Sequence, residues 1–206
     1  MDVFRQIIQE IGEDKLKYCF VYSAAGKRTR SDEADDEAID EYILKQMQGI
    51  LKYTFPNTTC NSYTGVDSKA MRKHKLEAFA NGQLNVLFAK NCLDEGVDIP
   101  RAQNAIFISS TGNPRQFIQR RGRVLRTCKG KNMAHIWDLI VMPPNITETA
   151  SPIERSLFTG EVKRILNFAA LADNKIDILY GELHNICMTL NIDMFQLLED
   201  EEKQYK

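Results

Sequence analysis

No apolar run in these 206 residues approaches the roughly 18 that a membrane-spanning helix needs. A transmembrane segment is therefore not expected. No leader peptide is expected either, because Met1-Asp2-Val3-Phe4-Arg5 opens a charged segment. The five cysteines, Cys19, Cys60, Cys92, Cys128 and Cys187, contain no Cys-x-x-Cys pair. That argues against a zinc ribbon and against a disulfide framework. Free thiols in apolar surroundings behave as small hydrophobes, and the cytoplasm is the simplest compartment. No internal repeat stands out. The net charge of −1 excludes a polycation, and a hydrophobic content of 43% is ordinary for a globular chain.

Acid is missing from one long span. Between Ile99 and Trp137 there is no Asp or Glu, while Arg101, Arg115, Arg120, Arg121, Arg123, Arg126, Lys129 and Lys131 all fall there. Carboxylates gather instead in Ser31–Glu41 and in Glu199–Glu202. A local field of one sign suits an anionic partner.

Apolar, β-rich segments recur along the first two thirds of the chain. Tyr18–Tyr22, Asn85–Ala89, Ala105–Ile108 and His135–Ile140 read as strands, and Thr58–Tyr63 adds a more polar candidate. Their hydrophobicity is continuous rather than alternating, which predicts burial on both faces of a parallel sheet. Helical periodicity appears between them, over 39–53 and 67–80. Strand–helix alternation predicts an α/β domain with right-handed crossovers. In such domains the functional loops gather at the carboxyl ends of the strands. Met142–Pro152 reads as a linker, and Ile153–Lys206 as two or three helices that brace the sheet. The expected domains are 1–145 and 146–206.

The densest signal is Gln116-Phe117-Ile118-Gln119-Arg120-Arg121-Gly122-Arg123-Val124-Leu125-Arg126. Asn113-Pro114 before it reads as an N-cap with proline at the first helical position. At 100° per residue, Gln116, Gln119, Arg123 and Arg126 fall at about 0, 300, 340 and 280°, on one face. Phe117, Ile118, Val124 and Leu125 fall on another, so one side can anchor while the other presents guanidinium forks. Such forks match phosphate oxygens in pairs and never lose their charge. Upstream, Asn91-Cys92-Leu93-Asp94-Glu95-Gly96-Val97-Asp98-Ile99-Pro100 follows a strand and holds a Gly-x-Asp turn.

Together these two segments resemble motifs V and VI of superfamily 2 helicases: Gly-x-Asp-x-Pro, and Gln-Arg-x-Gly-Arg-x-x-Arg over Gln119–Arg126. Tyr63-Thr64-Gly65, then Arg72, then Phe79–Gly82 before a strand, are also similar to the family's second RecA-like domain. The resemblance implies a RecA-like parallel sheet flanked by helices, with a C-terminal helical extension. It implies that Arg123 and Arg126 act as arginine fingers on the γ-phosphate of ATP, with Gln119 coupling that site to the interdomain cleft. Asp98 would lie near the ribose and Gly96 would let the backbone approach. Gln116 and Arg120 complete the nucleotide-facing set. Nucleic-acid contacts are expected at the strand ends, from Ser23, Thr64, Gly65, Lys90, Asn91, Ser110 and Thr111, which can position phosphates without reading bases.

Two short stretches mislead. Asp32-Glu33-Ala34-Asp35 spells a helicase signature, but it follows Lys27–Ser31 and opens a helix, where acids favour the positive end of the dipole. Gly26-Lys27-Arg28-Thr29 lacks the first glycine of a phosphate loop and has arginine in place of its hydroxyl. The resemblance implies that the phosphate loop and the Mg2+-holding acids lie in a first RecA-like domain of the same full-length protein. The Leu93–Pro100 wording resembles that of repair and restriction-type DNA helicases, and double-stranded-RNA sensors carry similar wording. DNA is the favoured substrate and an RNA-acting ATPase the alternative. A further alternative is a non-hydrolytic module that binds nucleic acid or protein.

Overall fold

The computed structural model describes residues 1–23, 33–90, 101–108, 118 and 121–203. It divides into two compact units, Met1–Leu139 and Ile140–Lys206. The division falls a few residues before the expected boundary near 145. Among the described residues no helix is long and apolar enough to cross a membrane.

In the first unit, α1 (Asp2–Ile11) and a 3-10 turn (Glu13–Leu16) precede β1 (Cys19–Ser23). Then come α2 (Glu33–Thr54), β2 (Cys60–Tyr63), α3 (Lys69–Ala80) and β3 (Val86–Lys90). β4 (Asn104–Phe107) and β5 (His135–Asp138) complete the sheet. All strand pairs are parallel, in the order β2-β3-β1-β4-β5. The three inner strands carry the continuous apolar runs. The outer strands β2 and β5 are only partly buried, as expected where one edge lacks a neighbour.

Pleating sorts the core. Cys19, Val21, Val86, Phe88 and Ile106 pack against Phe4, Ile8 and Ile11 of α1 and Leu44, Met47 and Leu51 of α2. Trp137 joins this cluster from β5. Phe20, one residue out of phase with Val21, stacks instead on Phe79 of α3, with ring centroids 4.7 Å apart. Alternate residues of a strand face opposite sides, so α1 and α2 cover one face of the sheet and α3 the other. The charged opening of the chain is thus a helix. Its buried Phe4, Ile8 and Ile11 recur at four- and three-residue spacing. α2 begins at Glu33, inside the Asp32–Asp35 run.

Tyr18 enters β1 through a left-handed backbone, φ 55°. Its ring is backed by Gly82, at φ +76°, where a Cβ would come within 2.9 Å of the Tyr18 hydroxyl. Glycine is required there on both counts.

The second unit has a core of its own. α4 (Pro152–Ala169) starts with a reciprocal cap between Ser151 and Glu154 and proline in its first turn. α5 (Lys175–Tyr180), α6 (Glu182–Thr189) and α7 (Met194–Lys203) follow. Phe158, Val162, Leu166, Leu179, Cys187, Leu190 and Met194 are buried together. The expected linker is partly absorbed: Ile140 and Met142 pack against this core, and Ala150 is buried in it. Four helices replace the two or three expected, because the apolar pattern over 176–190 is broken at Gly181. Leu157 and Leu171 are 70% and 83% exposed. The buried face of α4 runs through Phe158, Val162, Leu166 and Ala169. Leu157 precedes it by one residue, which is about 100° of rotation.

Candidate nucleotide and nucleic-acid site

The sheet register brings three of the expected nucleic-acid positions to one edge. Tyr63, Ala89, Tyr22, Phe107 and Asp138 form the last full rung. Thr64, Lys90 and Ser23 follow it directly, and Ser23 pairs with Lys90. Ser23 is buried. Thr64 is half-buried and Gly65 exposed. Asn91, Gly96, Asp98, Ser110, Thr111, Gln116, Gln119 and Arg120 lie outside the described residues.

The turn after β2 is held from below. Thr64 donates its backbone N–H to Asp67 Oδ2 at 3.1 Å, and Asp67 donates its own N–H back to the Thr64 carbonyl at 3.4 Å. Lys75, on the buried side of α3, donates to Asp67 Oδ1 at 2.7 Å and to the Ser62 carbonyl at 2.8 Å. Burial pushes the Asp67 carboxyl upward, but the Lys75 hydrogen bond, the Thr64 N–H and the Lys75 charge outweigh it and hold it below the usual value. The ion pair is largely withdrawn from solvent, with side-chain exposures of 11% and 16%. Ser68 caps α3 by accepting from the Met71 N–H. Sequence reading missed Lys75. The available signal was a lysine four residues before the buried Phe79, on the apolar stripe of the helix.

The arginine segment is helical over 121–124. Val124 is fully buried and supplies the anchor. Arg123 is half-buried with its Nε enclosed, and Arg126 is exposed. The helix stops sooner than expected. Leu125 still donates to the Arg121 carbonyl, but Leu125 and Arg126 lie beyond the last helical turn. Leu125, expected on the anchored face, is 45% exposed. Helical geometry therefore does not place Arg126 on the Arg123 face. Lys131 ends the helix: its ammonium donates to the Val124 carbonyl and, at 2.7 Å, to the Arg126 carbonyl. A cation on the last carbonyls of a helix satisfies orphan acceptors and the dipole together. Partial burial lowers the Lys131 pKa from its ordinary value.

Arg101 is likewise structural. Its guanidinium donates to the Ala80 carbonyl at 3.0 Å, closing α3, and to the Tyr18 hydroxyl at 3.2 Å. Two of the eight cations in the acid-free span thus hold backbone or aromatic groups.

Comparison with known proteins agrees with this architecture. The family described as helicase conserved C-terminal domain matches residues 5–128. The chain is 45% identical over 58 residues, 28% of its length, to a DNA 3'-5' translocase XPB2 from Sulfurisphaera tokodaii, of which the match spans 13%. It is 28% identical over 128 residues, 61% of its length, to the ATP-dependent DNA helicase MPH1 of Scheffersomyces stipitis, of which the match spans 12%. The chain therefore corresponds to about an eighth of each of these relatives. The solved C-terminal domain of the DEAD-box protein Dbp5 superposes with a TM-score of 0.52 at 17% identity, covering 80% of this chain and 77% of that one. With the parallel sheet in this order and a family match over residues 5–128, the chain belongs to the superfamily 2 helicase C-terminal domains, a RecA-like fold.

Proposed function

We propose that this chain is the second motor domain of an ATP-dependent nucleic-acid helicase or translocase, acting on DNA. The observation that carries this reading is the state of its two described motif VI arginines. Arg123 sits half-buried on a helix anchored by Val124, and Arg126 stands exposed just beyond it. Guanidinium donors on a backbone held by Val124 and Lys131, within an acid-free span, fit the outer phosphates of a nucleotide. They do not form a complete site. Asp98, Gly96, Gln116, Gln119 and Arg120 complete this chain's share in the reading, and a first RecA-like domain holds the phosphates and Mg2+.

ATP bound between the two domains supplies the phosphoryl bond whose hydrolysis drives the cycle. In this chain Arg123 and Arg126 neutralise charge developing on the γ-phosphate, and Lys131 fixes the backbone from which they extend. Ser23 and Lys90, at the ends of β1 and β3, and Thr64 and Gly65, just after β2, hold the nucleic-acid backbone together with Asn91, Ser110 and Thr111. Opening and closure of the domain pair then move the strand. DNA is favoured because two of the curated relatives, the translocase and the MPH1 helicase, carry DNA in their names. With no partner domain, the purified chain is expected to bind ATP feebly and to hydrolyse none. Measurable Mg2+-dependent turnover by the chain alone, in the presence of oligonucleotide, contradicts the reading.

A further inference from the structure

We propose that the Lys75–Asp67 pair is a positioning and charge-cancelling clasp that fits the Thr64–Asp67 turn for contact with a phosphodiester backbone. The inference deepens the reading above and rests on it for the identity of the ligand. Its starting point is a carboxylate in the wrong place. Asp67 holds the turn by accepting from the Thr64 N–H, yet a bare negative charge there repels the polyanion the turn is meant to meet. Lys75 removes that conflict. Its ammonium reaches Asp67 Oδ1 from the buried side of α3, at 2.7 Å, and is anchored a second time on the Ser62 carbonyl of β2. Asp67 thereby keeps its geometry and loses its field.

What remains on the outer side of the turn suits a phosphate. The Thr64 N–H is already committed to Asp67, so the amides of Gly65 and Val66 are the donors left, and neither is bonded among the described residues. Gly65 has an ordinary φ, and a Cβ built on it meets nothing within 4 Å. The fold therefore does not require glycine there, whereas close approach of a ligand to the backbone does. Beside Tyr63 an open groove of about 380 Å³ is lined by Lys69, Arg72 and Lys73. The one carboxylate lining it, Glu77, pairs with Lys73 at 3.8 Å. With Asp67 neutralised from beneath, the surface around the turn is net positive.

The test measures binding of the 206-residue chain to fluorescent 20-nucleotide oligo-dT and oligo-U, with melting recorded for every variant. Lys75→Met keeps the stem and removes the charge, leaving Asp67 uncompensated. It should weaken binding roughly tenfold at low salt, because a like charge now faces the phosphates. The double variant Lys75→Met/Asp67→Asn removes both charges and keeps an acceptor for the Thr64 N–H. It should return affinity to within about threefold of wild type, although its melting temperature falls as for the single variant. Lys75→Arg should retain most of the affinity. Gly65→Val, whose Cβ meets nothing within 4 Å, should abolish the contact. Rescue by the double variant supports the clasp, since a purely structural loss is not restored by deleting a second charge. Equal loss in the single and double variants overturns it, as does unchanged binding in Lys75→Met when Gly65→Val binds weakly. If Gly65→Val binds as wild type, or the wild-type chain binds neither oligonucleotide, it is the nucleic-acid reading of the turn that falls. The two oligonucleotides together report whether the backbone contacted is deoxyribose or ribose.

Discussion

Replacing Lys131 by methionine tests whether the arginine helix is held at its carboxyl end. The methionine stem fills nearly the same space, so only the ammonium is lost. Two carbonyls lose a charged donor, that of Val124 on the part-buried side and that of Arg126 on the exposed side. A hydrogen bond to a charged group contributes about 1.5–3 kcal/mol. Water replaces the exposed one, and the desolvation that lowers the Lys131 pKa is relieved. A net local cost of about 1–2 kcal/mol remains. It should appear as roughly five- to thirtyfold faster hydrogen exchange at the Leu125 amide, which closes the last helical turn on Arg121. The alkaline behaviour follows from linkage. The folded chain binds the Lys131 proton less tightly than the unfolded chain does. Wild-type stability should therefore rise, relative to the variant, as pH climbs from the lowered value towards 10.5. Unchanged exchange at Leu125, with the same pH dependence in both proteins, refutes the cap.

Two further outcomes are expected. Phe79→Ala empties a fully buried site between the rings of Phe20 and Tyr18, at 4.7 and 6.0 Å. It should cost about 3–5 kcal/mol in urea unfolding of the chain, and a loss below about 1 kcal/mol contradicts the packing described for α3. Asp67→Asn probes the other end of the pH scale. The folded Asp67 pKa lies below 3.8, so the pair's contribution is fully present above that value and fades as pH falls through the folded one. The stability gap between wild type and variant should shrink between pH 7 and pH 3, and a constant gap contradicts the ion pair.

Much of the fold was legible because the inner strands are apolar on both faces. Tyr18–Tyr22 and Asn85–Ala89 have no other stable use than the middle of a parallel sheet. The helix at the start of the chain was not read, although Phe4, Ile8 and Ile11 spell it. Acidic and basic residues between them masked the stripe. The family was legible because its motifs are carried by local sequence, whereas the contacts that hold the candidate site depend on the fold. Lys75 meets Ser62 and Asp67 only because α3 runs back along β2. Lys131 meets Val124 and Arg126 only because the chain reverses after the helix. The same reversal ends the helix before Arg126, which no periodicity could foresee. The break at Gly181 and the separate core of the second unit likewise follow from packing, not from composition.

In the proposed reading, Arg123 completes a nucleotide site whose other half lies in a first RecA-like domain. Nucleic-acid-stimulated ATP hydrolysis by the longer polypeptide carrying both domains, with Arg123→Ala beside wild type, measures this directly. The expected result is a fall in kcat of about 10³-fold or more, with the melting temperature and oligonucleotide affinity nearly unchanged. Hydrolysis at the wild-type rate in the variant contradicts it and leaves the domain as a binding module.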